Sequence, residues 1–109
     1  MELHVRQVRV GADEVLHVSG EIDLATIPVL HGALARFSTE HPGGHVVVDL
    51  DGVSACDDSG LGVLLGAAGR ARESGGDLIV VCTDESLRAR LKRTGFDRAV
   101  SVVSSPTRA

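Results

Sequence analysis

The residues best placed to do chemistry are Asp57, Asp58 and Ser59, within Cys56-Asp57-Asp58-Ser59-Gly60-Leu61-Gly62. They follow the apolar run Val46-Val47-Val48-Asp49-Leu50 and a short loop. The run predicts a buried strand and Ser59 to Ala71 predict a helix, so two acids and a serine fall where that helix begins. Asp and Ser cap the unpaired backbone N–H groups at such a point. The positive end of the helix dipole also favours an added phosphate there. A hydroxyl at this turn is a candidate for phosphorylation, which adds about −1.5 to −2 of charge. The pattern fits a charge switch better than a catalytic centre.

Other chemistry is less well supported. Asp49 and Asp51 could join Asp57 and Asp58 in an acidic metal pocket of the receiver or phosphohydrolase kind. A receiver, however, needs its acid pair after the first strand and a lysine after the last, and neither is present. No nucleophile and base stand at a useful spacing, so no catalytic residue, metal site or cofactor is expected. Glu21 and Asp23 read as loop acids that stay solvated, cap a helix or meet a partner. Cys56 and Cys82 have neither disulfide-framework nor zinc spacing and read as reduced thiols filling small spaces. The histidines, His4, His17, His31, His41 and His45, are scattered and read mostly as surface residues. Arg88, Arg90, Lys92 and Arg93 read as the wet face and polar end of a helix.

Composition narrows the classes further. The 109 residues hold two Phe, no Trp and no Tyr, which argues against base stacking or a ring-lined sugar site. A net charge of −4 argues against a nucleic-acid partner. Glu2, His4 and Arg6 interrupt any early apolar segment, and the longest apolar run, Leu61 to Ala68, is too short to span a bilayer. A cytoplasmic protein without a membrane partner is expected, as one domain over 1–103 with a frayed tail at 104–109.

Periodicity supplies the elements that position the turn. Leu3, Val5, Val8 and Val10 predict a strand whose alternation shifts at Arg6-Gln7, suggesting a bulge. Gly11-Ala12-Asp13 predicts a turn, Glu14 to Ser19 an antiparallel partner, and Gly20 to Ala25 a loop. Ile27, Leu30, Leu34 and Phe37 mark one face of a helix, with Pro28 in its first turn. His45 to Leu50 follow as a strand. The next helix carries Gly62, Gly66 and Gly69, which suggests close approach to a sheet. Asp77 to Cys82 form a strand, Thr83 or Asp84 caps a helix with Leu87 and Leu91 inward, Gly95 ends it, and Ala99 to Val103 close the fold. The order β-β-α-β-α-β-α-β implies an α/β domain with a mixed sheet and helices mainly on one face.

Three segments in this order resemble the STAS domain of anti-sigma factor antagonists. Asp57 with Gly60-Leu61-Gly62 is similar to the family's Asp-Ser-(Ser/Thr)-Gly-(Leu/Ile)-Gly motif. Ser19-Gly20-Glu21-Ile22-Asp23 is similar to its Gly-Glu-(Leu/Ile)-Asp, and Thr94-Gly95-Phe96-Asp97-Arg98 to its Thr-Gly-Leu-Asp. The resemblance spans about Leu3 to Val103 and implies the STAS fold. It also implies capture of an anti-sigma factor kinase, release of a sigma factor, and control by phosphorylation. The alignment puts Asp58 at the usual acceptor position, leaving Ser59 as the neighbouring hydroxyl and expected acceptor. Gly20, Glu21, Asp23, Asp57, Asp58, Ser59, Gly60, Leu61 and Gly62 are the expected partner-binding residues, on a monomer or weak dimer. The alternative is a structural STAS subunit of a lipid-transport ATPase or stress-signalling assembly, without a phospho-switch.

Overall fold

A computed structural model describes residues 2–11 and 13–105. Five strands form one sheet in chain order: β1 (Leu3–Val10), β2 (Asp13–Ile22), β3 (His45–Cys56), β4 (Asp77–Val81) and β5 (Ser101–Val103). β1 and β2 are an antiparallel hairpin, and every later pairing is parallel. Each parallel step therefore needs a crossover, supplied by α1 (Ile27–Glu40), α2 (Asp58–Glu73), and α3 (Glu85–Arg93) with α4 (Phe96–Ala99).

The two faces of the sheet carry different cores. Leu16, Val18, Val46, Val48, Leu50, Leu78 and Val80 pack against Leu30, Leu34, Phe37, Leu61, Leu64, Ala68, Leu91 and Phe96 from the helices. Val15, Val47 and Val81 form a smaller cluster with Val10 and Val103. This second cluster explains the shifted alternation in the first strand. Leu3 and Val5 belong with the large core and Val10 with the small one, so both faces of β1 carry apolar residues. The expected bulge at Arg6-Gln7 is absent, because the β1–β2 ladder runs unbroken from Leu3 to Val10.

The irregularities lie one strand over. β2 and β3 shift register between His17 and Ser19 and again between Gly20 and Glu21. Gly52 permits the first shift: a Cβ there would stand 2.8 Å from that of Ser19 and 3.0 Å from the Val18 carbonyl oxygen. Pairing of Glu21 with Ala55 and Ile22 with Cys56 carries both strands beyond their expected ends at Ser19 and Leu50. Gly20 and Glu21 are therefore strand residues rather than loop. Gly20 has φ +107°, and a side chain on it would run into the Glu2 carbonyl, so only glycine fits.

The helix starts follow the expected caps, with Asp57 accepting from the Gly60 N–H and Asp84 from the Leu87 N–H. Pro28 sits at the start of α1. Gly95 takes the left-handed conformation at φ +80°, and the chain then makes the short α4 that buries Phe96. This turn delays the last strand to Ser101. The expected Gly11-Ala12-Asp13 turn includes Ala12, and the expected tail includes 106–109; these lie outside the described residues.

Gly62, Gly66 and Gly69 of α2 do not serve close packing. Nothing lies within 4 Å of a Cβ placed on Gly62 or Gly69, and Gly66 would meet only the Arg70 side chain. The buried side of α2 is instead Gly60, Leu61, Leu64, Ala67, Ala68 and Ala71. Gly69→Ala should therefore stabilise the domain by about 1 kcal/mol, since a helix-interior glycine carries excess backbone entropy in the unfolded chain. Its thermal midpoint should rise by about 4 °C, and an unchanged or lower value would mean that the exposed face of α2 is packed.

Candidate functional site

Two of the singled-out segments meet through backbone and packing. β3 ends at Cys56, and the Asp57 N–H donates to the Ile22 carbonyl at 3.1 Å. The Ser54 hydroxyl donates to the Gly20 carbonyl at 3.2 Å. A Cβ on Gly60 would collide with Ile22 Cγ2 and stand 3.1 Å from Cys56 Sγ. The first turn of α2 is thus wedged against the end of β2. Glu21, Ile22, Ala55, Cys56, Asp57 and Arg90 line one open depression of about 410 Å³.

The third segment closes the other side. Asp58, Leu61, Gly62 and Leu65 of α2 face Thr94, Gly95, Phe96 and Ala99 across a groove of about 340 Å³. Its rim includes Leu65, which is 39% exposed.

Within the turn, the Ser59 hydroxyl donates to Asp57 Oδ1 at 2.5 Å, and the same oxygen accepts the Gly60 N–H at 3.2 Å. The Ser59 hydroxyl, followed by the backbone N–H groups, holds the Asp57 carboxyl below the usual carboxylate range. Asp57 is therefore ionised at neutral pH and fixes the hydroxyl at the helix start. It is a poor proton acceptor there, which suits a cap rather than a catalytic base.

Asp58 points away from this pair. Its Oδ1 accepts from Arg90 Nη2 at 2.6 Å, with the Asp58 side chain 85% and the Arg90 side chain 31% exposed. Arg90 Nε is buried without a hydrogen-bond partner. Arg90 is thus not part of a wet helix face, as its neighbours suggested, whereas Arg88, Lys92 and Arg93 are exposed. The sequence held a signal for this: Leu87, Arg90 and Leu91 are spaced i, i+3, i+4, which puts Arg90 beside the inward stripe of α3.

The Glu21–Asp23 acids divide their roles. Asp23 Oδ1 accepts the Thr26 N–H and the Asp23 N–H donates to Thr26 Oγ1, both at 3.0 Å. Thr26 Oγ1 in turn donates to the Glu21 carbonyl at 2.8 Å. Asp23 and the buried Thr26 therefore set the entry to α1. Between them Leu24 stands 77% exposed, an apolar side chain beside the site that sequence reasoning did not single out.

The acids upstream are occupied elsewhere. Asp49 pairs with His17 Nδ1 at 3.2 Å and accepts the Asp51 N–H at 2.9 Å, while Asp51 accepts the Thr83 N–H at 2.6 Å. Because β3 stays extended, Asp51 and Asp57 are separated by about 20 Å of strand. Among the described residues no group of three or more His, Cys, Asp or Glu side chains is placed to hold a metal ion. Cys56 and Cys82 are free and buried. Burial pushes the Cys56 thiol up to about 11, against the opposing pull of Arg90, and burial raises Cys82 as well. Neither is a ready nucleophile.

The STAS domain model matches residues 6–109. The chain belongs to the STAS domain family. An anti-sigma factor antagonist from Mycobacterium paratuberculosis shares this STAS fold with a TM-score of 0.84 at 25% identity, covering 96% of this chain and 88% of its own. SpoIIAA, an anti-sigma factor antagonist, gives 0.62 at 17% in its unphosphorylated form, covering 82% of each chain. The phosphorylated form, described as a Bacillus cell fate determinant, gives 0.66 at 16%, covering 92% of this chain and 91% of its own. The SpoIIAA likenesses show the STAS fold. No helix among the described residues of this STAS domain is long and apolar enough to cross a membrane.

Proposed function

We propose that this protein is an anti-sigma factor antagonist that binds an anti-sigma factor kinase, frees a sigma factor, and is switched by phosphorylation of Ser59. The observation that carries the reading is the convergence of all three segments around the start of α2. Glu21, Asp57 and Ser59 stand on one side, and Asp58, Leu61, Gly62 and Phe96 on the other. The likeness to the Mycobacterium paratuberculosis antagonist, at nearly full coverage, supports the partner class. The phosphorylated form of SpoIIAA supports a phosphoryl switch on this fold.

In the transfer step, Ser59 Oγ attacks the γ-phosphorus of ATP and the bond from that phosphorus to the β–γ bridging oxygen breaks. ADP leaves with the electron pair, and the hydroxyl proton passes to the base of the kinase. Asp58 has no hydroxyl to donate, so Ser59 is the acceptor although Asp58 holds the family position. The exposed groove and Leu24 give the kinase apolar contact area, while Gly20, Glu21, Asp23 and Gly60 shape the surface. The domain itself is no enzyme and uses no cofactor; it works in the cytoplasm as one unit over 1–103, monomeric or weakly dimeric, with no nucleic-acid partner.

The test is phosphosite mapping after incubation with the cognate kinase and ATP. Phosphate on Ser59, absent from Ser59→Ala, is the expected result. Failure of the wild type to accept phosphate, with phosphorylation gained in Asp58→Ser, would overturn Ser59 as the acceptor and favour a locked or structural STAS subunit.

A further inference from the structure

The Asp58–Arg90 contact lies beside the proposed acceptor, is formed by a residue from a different element, and leaves the guanidinium half used. Nη2 and Nε lie along one edge of a guanidinium, the edge that takes a planar or tetrahedral anion two bonds at a time. In this structure Nη2 holds one oxygen of Asp58, while Nε is buried without a partner. Arg90 also borders two depressions: the one with Glu21, Cys56 and Asp57, and a further one with Ser54, Asp84 and Ser86. The titratable groups facing it are therefore Asp58 from α2, its cap Asp57, Cys56 from the end of β3, Glu21 from β2 and the Asp84 cap of α3. Arg90 is the cation among four acids.

We propose that Arg90 is the anion-reading arm of the switch: it neutralises Asp58 in the unmodified protein and transfers to the phosphate when Ser59 is modified. The inference rests on the reading of Ser59 as the acceptor. Phosphorylation removes the hydroxyl that Ser59 donates to Asp57 and places a group of nearly two negative charges beside two carboxylates. The arm has more to gain from that group than from a single carboxylate, because the phosphate offers more charge and enough oxygens for both Nη2 and Nε. The exchange frees Asp58, which lines the Gly62–Phe96 groove, so one modification delivers two changes of charge to the partner surface. In the unmodified state the paired Asp58 does not act as a fixed phosphate mimic.

The experiment uses full-length protein carrying genetically encoded phosphoserine at position 59, so it does not depend on any kinase. The probe is the second ionisation of that phosphate by ³¹P NMR, which lies near 6 when unperturbed. Arg90→Gln should raise it by at least about half a unit, a threefold loss of acidity, because a neighbouring cation favours the dianion. Asp58→Asn should lower it more in the presence of Arg90 than in the Arg90→Gln background, because Asp58 competes for the arm. Identical titrations with and without Arg90 would overturn the proposal. If Arg90→Gln does not fold, the Arg90 Nε resonance in wild-type backbone decides. It should move on going from serine to phosphoserine at 59, and an unmoved resonance overturns the proposal. Failure of Ser59 to be phosphorylated by a kinase would overturn the functional reading alone.

Discussion

Gly60→Val should destabilise the domain by about 3 kcal/mol, the upper range for forcing extra carbons into a packed site. Even a single Cβ at position 60 would collide with Ile22 Cγ2 and crowd Cys56 Sγ at 3.1 Å. Both neighbours are buried, Ile22 in β2 and Cys56 at the end of β3, so neither has solvent to move into. A branched side chain must lift the first turn of α2 off the sheet or shift the strand ends apart. Urea unfolding should show the midpoint lowered by about 2 M with the slope unchanged. An unchanged midpoint would mean that α2 does not rest on Ile22. The sign is opposite to that expected for Gly69→Ala, although both substitute glycines of one helix.

Gly62→Arg should leave the fold intact and weaken binding to the proposed anti-sigma factor kinase about 100-fold, close to 2.8 kcal/mol. Nothing stands within 4 Å of a Cβ at position 62, so the free protein accommodates the change. A partner seated in the groove between Leu65 and Phe96 must approach the bare backbone there, and truncation or obstruction of a central contact has effects of this size. Gly69→Arg, two helical turns further on and equally open, is the control and should bind as the wild type does. Titration calorimetry with the purified partner distinguishes the two. Undiminished binding by Gly62→Arg would place the interface elsewhere.

The start of α2 was legible because its signals are local. The acids and serine that mark it follow closely on the apolar run Val46 to Leu50, and the cap contact from Asp57 to Gly60 lies within one turn. Strand lengths were not, because β2 and β3 reach Ile22 and Cys56 by pairing with each other, a contact between segments far apart in the chain. The reading of Gly62, Gly66 and Gly69 failed for a related reason. A glycine says that a side chain is absent, but not which neighbour required it; here Gly60 is the one pressed against the sheet. Arg90 was hidden by its company, since four basic residues in six positions look alike until Asp58 is seen at 2.6 Å from one of them. That the three segments share one surface followed from topology rather than from any residue type.

The order of the strands bears on how the protein is made. Because β1 to β5 lie side by side in chain order, a chain emerging from the ribosome extends one growing edge, and each crossover helix can settle on the strand just laid down. Synthesis proceeds at about 5–20 residues per second, so β1 to β3 have seconds to assemble before α3 and α4 arrive. Arg90, Gly95 and Phe96 are among the last parts of the surface to be delivered. A nascent chain can therefore hold Asp57, Ser59 and the open face of α2 while lacking the far wall of the groove. The groove proposed for the partner is therefore complete only once α4 has followed α3.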